Sequence, residues 1–389
     1  MKRIHNLSSR HPGESRDPVP FAVTASHSHA SRWVPAFAGM TVKKLALAAA
    51  LASTSFAALA QDVLIRNATV HTAGAQGTLK NTDVLVRNGM VQAVGTALAS
   101  PAAATVVEAD GRPLTPAFFG GITEIGIEEV SGESSTVDAA VTLEDQPMRP
   151  EFDVTLAYNP ASVVIPVARV EGIGFTLLAA ATGGSFIAGQ GGVMRLDGSA
   201  DPVGPRALFV RLGGGASELS GKSRAAQWML LDQMVAEARG RVPVDSPHAL
   251  LTPAGRATLA RYLAGNGRIV VAVNRAADIR QLLRWAQREN VRVAIAGGAE
   301  AWKLAAQLAQ AKVPVFVDAL ADLPADFDQI GATLENAARL DAAGVGVGFS
   351  LSDGVGVGVG LVPPPPSAHA PETLAEALTS VPFTVATSE

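Results

Sequence analysis

Cysteine is absent from all 389 residues, which excludes disulfides, thiolate nucleophiles and cysteine-held zinc or iron–sulfur sites. Aromatic residues make up only 5% and charged residues 17%. No basic patch stands out, so a nucleic-acid surface is not expected. The apolar and small-residue run from Leu45 to Leu59 falls short of the roughly 20 residues that a membrane span needs. What the chain does have is a hydrophobic content of 48% and abundant Ala and Gly, enough for a large core with helices packed closely on a sheet.

Lys43-Lys44, the apolar run and Ala58-Leu59-Ala60 before Gln61 follow the basic, apolar, A-x-A order of a secretory signal peptide. The expectation is a signal over residues 40–60 starting at Met40, cleavage after Ala60, and a periplasmic or secreted protein. Residues 1–39, rich in Pro, Ser, His and Arg, read as a spurious or disordered extension. Residues 1–60 hold seven of the 31 Lys/Arg and two of the 35 Asp/Glu, leaving 24 basic against 33 acidic residues. Such an acidic remainder argues against nucleic acid and anionic lipid as partners.

From Val63 to Val107 short apolar runs alternate with polar residues and are punctuated by Asn88-Gly89, a hairpin signal. A small β-sandwich over residues 61–113 is expected. From Leu114 onward apolar strands alternate with helical stretches. Strands are predicted at Phe118–Ile125, Phe175–Ala179, Ala207–Val210, Ile269–Val273, Val291–Ile295, Val313–Val317 and Val345–Ser350. Helices are predicted near Gly221–Arg239 and at Ala277–Arg288, Glu300–Ala311 and about Asp326–Ala343. Seven or eight parallel strands in about 240 residues suit an α/β fold of the (β/α)8 TIM-like barrel type over residues 114–353. A doubly wound open sheet is the competing architecture. Residues 354–389, with alternating Gly-Val and the run Pro363 to Pro366, form a low-complexity tail expected to be poorly ordered, which leaves open whether the barrel is complete at its C-terminus.

The segment Asp62 to Pro116 resembles the lead-in of the amidohydrolase superfamily. There it runs into a first barrel strand of the form P-G-[LIF]-I-D-x-H-x-H, whereas this chain reads Pro116-Ala117-Phe118-Phe119-Gly120-Gly121-Ile122-Thr123-Glu124. Later blocks resemble the imidazolonepropionase-like branch of periplasmic and secreted members, in family order. Ile165 to Ile173, followed by Gly183-Gly184 and Gly189-Gln190, is similar to NRANGIT…GG…SGQ. Val271 to Ile279 is similar to VHAHRADDI, and Ala294 to Ala301 to VIEHGTEA. The resemblance implies a barrel hydrolase of non-peptide carbon–nitrogen bonds in a small cyclic amide or related substrate, with zinc as cofactor. Residue by residue, however, the family's four metal-binding histidines fall on Ile122, Glu124, Ala272 and Gly297. The eighth-strand aspartate falls on Asp353, or on Ser352 if no gap is allowed. A catalytic zinc needs about three protein donors, and Ile122, Ala272 and Gly297 have none. After residue 60 only His71, His248 and His369 remain, with no ligand spacing, so no metal site is expected.

Glu124 and Asp353 are the candidate catalytic residues. Glu124 stands at the C-terminal end of the first barrel strand, where barrel enzymes keep their chemistry. Glu128, Glu129 and Glu133 follow it and either converge on the mouth or form a solvated acidic loop. Asn274, Arg275 and Asp318 are candidate substrate contacts. Arg275 offers a bidentate fork to a carboxylate, or else starts a helix beside a neighbouring acid. Glu124, Asp318 and Asp353 together would make an all-oxygen site for a hard cation. Gly183-Gly184, Gly189-Gln190-Gly191-Gly192 and Gly213-Gly214-Gly215 lack the features of phosphate loops and read as turns. Trp228, Trp285 and Trp302 read as packing residues.

Two functions follow: a divergent hydrolase working with carboxyl groups, or a catalytically inactive barrel that binds a ligand or partner. The expected partner is a small molecule, with no nucleic acid, no membrane after signal cleavage, and a homo-oligomer left open.

Overall fold

The computed structural model describes residues 62–130, 132–145, 147–320 and 323–350. The expected extension, signal and tail, with Asp353 and His369, lie outside the described residues.

The N-terminal part supplies one five-stranded sheet of the expected sandwich, ordered β3-β2-β1-β4 with β5 on β1. Strand β1 (Val63–His71) runs antiparallel to β2 (Thr78–Arg87) and parallel to β4 (Thr105–Glu108) and β5 (Pro113–Leu114). Strand β2 turns into β3 (Met90–Gly95) through Asn88 and Gly89, at φ 52° and 73°. Both residues tolerate that left-handed backbone. Alternation puts Ile65, Val84 and Val86 in a small apolar core.

The larger part is an eight-stranded, nearly closed barrel whose strands follow one another in chain order. They are β6 (Phe118–Thr123), β7 (Ile173–Leu178), β8 (Ile187–Arg195), β9 (Val203–Arg211), β10 (Arg268–Val273), β11 (Val293–Gly297), β12 (Val315–Val317) and β13 (Val347–Phe349). Seven run parallel, as expected, and β8 runs antiparallel to both neighbours. At the seam the Ile122 N–H donates to Ser350 Oγ at 2.9 Å, joining the ends of β6 and β13.

Strand β8 corrects the reading of Gly189-Gln190-Gly191-Gly192 as a turn. A Cβ on Gly191 would lie 1.9 Å from the Leu178 carbonyl oxygen, so only glycine lets β7 and β8 approach this closely. Glycines selected for contact between strands thus look like glycines selected for a turn.

Helices α1 (Val164–Val170), α2 (Arg224–Ala238), α3 (Pro253–Leu263), α4 (Ala276–Glu289), α5 (Ala305–Gln310) and α6 (Asn336–Ala342) accompany the barrel. In α4, Ile279, Leu282 and Ala286 recur at three- and four-residue spacing and are buried. Asn290 ends that helix in the left-handed conformation. Helix α3 was not foreseen, although Thr252 caps Gly255 N–H and Pro253 occupies the first turn. The helix expected from Asp326 starts only at Asn336. Upstream, Asp328 is hydrogen-bonded to Gly214 N–H and Gly331 N–H to Glu300, and these tertiary bonds hold the segment in turns. Among the described residues no helix is long and apolar enough to cross a membrane.

Alternation along the strands separates two cores. Leu208, Val210, Val271, Ile295 and Val315 pack outward against helix residues such as Met234, Leu282 and Trp285. Ala207, Phe209, Val270, Ala294 and Phe316 pack inward. Trp285 and Trp228 are packing residues, whereas Trp302 carries the Arg339 guanidinium on its ring at 4.4 Å and donates through Nε1 to the Gly331 carbonyl at 2.8 Å.

Candidate functional site

The C-terminal ends of the parallel strands define the mouth of the barrel. Strand β6 delivers Glu124 there. The Glu124 carbonyl then accepts from Ile127 N–H at 3.0 Å and Glu128 N–H at 3.1 Å, and this turn brings the Glu128 carboxyl back onto that of Glu124. Burial pushes the Glu124 pKa up to about 8, helped by a hydrogen bond to Glu128 and by repulsion from its charge. Two carboxyls this close cannot both ionise cheaply, so at neutral pH Glu124 keeps its proton.

The other two glutamates of this stretch are structural. Glu129 accepts from Ser162 Oγ at 2.8 Å and from Val163 N–H at 3.1 Å, at the start of α1. Glu133 accepts from Ser135 Oγ at 2.8 Å, and its pKa is lowered by the hydrogen bonds to Ser135. The four glutamates therefore do not converge on the mouth.

On the opposite rim, Ala272 and Gly297 end β10 and β11. Gly297 has φ 83°, and a Cβ there would lie 2.5 Å from Asn274 Oδ1. That oxygen accepts from Ala299 N–H at 3.2 Å, so the place of the family's sixth-strand histidine is filled by an engaged asparagine. Asn274 also accepts through its carbonyl from Glu300 N–H at 3.0 Å. The residues at Ile122, Ala272 and Gly297 do not fit the family's zinc. Among the described residues no three His, Asp or Glu gather as metal ligands, and Asp353, the third member of the imagined all-oxygen site, lies outside them. His71 bonds Thr78 Oγ1 at 3.0 Å in the N-terminal sheet, and the His248 carbonyl accepts from Gln233.

Arg275 precedes α4, and its carbonyl accepts from Asp278 and Ile279 N–H, both at 3.0 Å. Asp318, at the end of β12, accepts from Leu320 N–H at 2.8 Å. Arg275 follows β10, across the barrel from β6, whereas Asp318 follows β12, separated from β6 by β13 alone across the seam.

Several rim residues escaped the sequence reading. Arg224 on α2 donates to Asp278 at 2.6 Å and to Asp328. Burial raises the Asp278 pKa, against the pull of Arg224. Burial also opposes ionisation of Asp328, but the Arg224 and Gly214 hydrogen bonds prevail and hold its pKa low. Glu300 accepts from Ala276 N–H at 2.9 Å, Gly331 N–H at 2.8 Å and Lys303 Nζ at 2.7 Å. These groups come from segments far apart in the chain, and no spacing rule links them.

The bowl inside the mouth is read from the strand register. Arg211, Ala272, Ala296, Phe316 and Gly348 lie side by side on consecutive strands. A Cβ on Gly348 would meet the Phe316 ring at 2.8 Å. Phe119 lies 6.0 Å from that ring and 5.5 Å from Phe175, centroid to centroid. The result is an apolar floor with one charged residue at its edge.

No protein-family model matches this sequence, and no curated protein sequence does. Among solved structures, an amidohydrolase from Thermotoga maritima shares the fold. It has a TM-score of 0.64 at 22% identity, over 76% of this chain and 80% of that one. A triazine hydrolase from Arthobacter aurescens aligns over 76% of this chain and 73% of that one, at 15% identity and a TM-score of 0.39. An N-isopropylammelide isopropylaminohydrolase from Burkholderia multivorans aligns over 76% of each chain, at 15% identity and a TM-score of 0.36. The last two superpose too loosely to bear on the fold.

Proposed function

We propose that this chain is a divergent member of the amidohydrolase superfamily that hydrolyses a non-peptide carbon–nitrogen bond of a small cyclic amide or related compound, with carboxyl groups in place of histidine-held zinc. The lead-in segment, the order of the family blocks and the fold shared with the Thermotoga amidohydrolase support the family. The observation that carries the chemistry is Glu124 at the end of the first barrel strand, hydrogen-bonded to Glu128 and with its own pKa pushed up to about 8.

A pair holding one proton can act at both ends of an acyl transfer. The ionised carboxylate takes a proton from water as its oxygen bonds to the carbonyl carbon. The protonated carboxyl gives its proton to the departing nitrogen as the carbon–nitrogen bond breaks. Ring opening of a cyclic amide leaves the new carboxyl and the freed amine on one product, and the pair is left with one proton again. Asn274, Arg275, Asp318 and Asp353 complete the proposed set of contacts. On the order of residues 43–60 we place the mature protein in the periplasm or outside the cell.

The test is turnover of a panel of cyclic amides, imides and N-acyl amino acids by the wild type and Glu124→Gln. A kcat reduced about 100-fold or more, with KM little changed, is the expected result. Undiminished turnover in the variant would sink the reading. The missing donors at Ile122, Ala272 and Gly297 also favour a catalytically inactive, ligand-binding barrel. No turnover, together with ligand-induced stabilisation, would establish that alternative.

A further inference from the structure

We infer that Arg211 is the specificity-determining residue of this mouth, pairing with a carboxylate so that the barrel takes carboxylate-bearing amides with an apolar body. The inference deepens the hydrolase reading and rests on it for the word amide.

Arg211 is the last residue of β9. Ala207 and Phe209 belong to the inward core, while Leu208 and Val210 face the helices. Strand alternation therefore turns Arg211 to the inside of the mouth. It is register partner to Ala272, which pairs in turn with Ala296. In the row that continues through Phe316 and Gly348, its guanidinium is the sole polar side-chain group.

The guanidinium is held in place yet left unpaired. A Cβ on Gly215 would lie 3.1 Å from both Nε and Nη2 of Arg211, so the bare backbone of the Gly213-Gly214-Gly215 turn is what lets the side chain rest there. Arg211 is exposed, and among the described residues no carboxylate or carbonyl pairs with its side chain. The contrast with Arg224, one turn of chain away and held by Asp278 and Asp328, is direct. The fold neutralises Arg224 and leaves Arg211 facing the bowl.

A guanidinium binds a carboxylate through two parallel hydrogen bonds, and the attraction strengthens beside apolar walls, where the effective dielectric constant falls. The apolar floor of Ala272, Ala296 and Phe316 suits the uncharged body of such a ligand. Beyond residue 60 the chain carries 33 acidic against 24 basic residues. Attraction for an anion is thus a local property of this rim and not of the whole surface.

The experiment is titration calorimetry on matched pairs that differ only in the anion: N-acetyl and N-benzoyl amino acids and cyclic imido acids, each beside its carboxamide. Wild type, Arg211→Gln and Arg211→Lys are compared, each also in the Glu124→Gln background so that turnover does not interfere. The wild type should bind each acid at least tenfold tighter than its carboxamide. Arg211→Gln should abolish that preference while leaving carboxamide binding unchanged, and Arg211→Lys should keep part of it. Added salt should weaken the preference in the wild type only. A wild type that binds no acid, or shows no preference, overturns the inference, as does a preference that survives in Arg211→Gln. A preference lost in Arg211→Gln without turnover of any acid would leave this inference standing and remove the hydrolase reading. Turnover without preference would do the reverse.

Discussion

The two sides of the barrel mouth have been treated differently. On the β6 side, Glu124 and Glu128 keep a buried proton between them. On the β10–β11 side, Ala272 offers no donor and Gly297 is pressed against the engaged Asn274. One rim retains groups able to move a proton, and the other is lined by small residues and an asparagine held by internal hydrogen bonds. A barrel mouth without histidine donors at these strand ends can therefore still carry chemistry, because burial and a neighbouring carboxyl can tune a glutamate into the range where it gives and takes protons.

Placing a histidine at Gly297, on the β10–β11 side, is the strongest way to break this contrast. Gly297→His must carry a side chain at φ 83° and displace Asn274. It should cost about 3 kcal/mol in urea unfolding, and it should not bring zinc into the protein. Unchanged stability with a bound equivalent of zinc would mean that the rim is far more open than described.

Next in size is Arg224→Met, which strips two buried carboxylates of their cation and should cost about 2 kcal/mol. Because the Asp328 pKa is held low in the fold, its contribution is present above the ordinary carboxylate range and is lost as pH falls through the folded value. The wild type should therefore lose stability in acid more steeply than Arg224→Met. Parallel acid limbs would show that the pair is not coupled to folding.

The β6 side makes the opposite prediction. The Glu124 pKa is raised, so the folded state binds more protons than the unfolded chain between the ordinary value of 4.5 and about 8. Stability contributed by this group falls as pH rises through that window and levels off above it. Glu124→Gln should flatten that slope and be the more stable protein at pH 9. If the pair also performs the hydrolysis, kcat should decline tenfold per pH unit above about 8.

The smallest effect concerns the shared scaffold. Ile295→Val, in the core between sheet and helices, should cost about 1 kcal/mol and leave both the Glu124 titration and the Arg211 preference unmoved. A change in either would show that the two rims are not independent of the core beneath them.

The parallel part of the barrel was legible because β-branched strands such as Ile269–Val273 alternate with amphipathic helices such as α4. The Asn88-Gly89 hairpin was legible because so few residues accept its backbone. Strand β8 was not, since Gly191 serves a close approach to Leu178 that nothing nearby in the chain announces. Glu124 was picked out from its strand-end position, but its partner could not be told from Glu129 and Glu133, three glutamates of equal composition and unequal surroundings.

Local periodicity, turn chemistry and the missing side-chain donors at Ile122, Ala272 and Gly297 are written in the order of residues, and they determined the barrel and the lack of imidazoles at those three strand ends. Which carboxyl keeps a proton, which arginine is paired and which is left facing the bowl were decided only when distant segments met. Burial and charge pairing depend on neighbours in space, and those neighbours come from strands and loops more than a hundred residues apart.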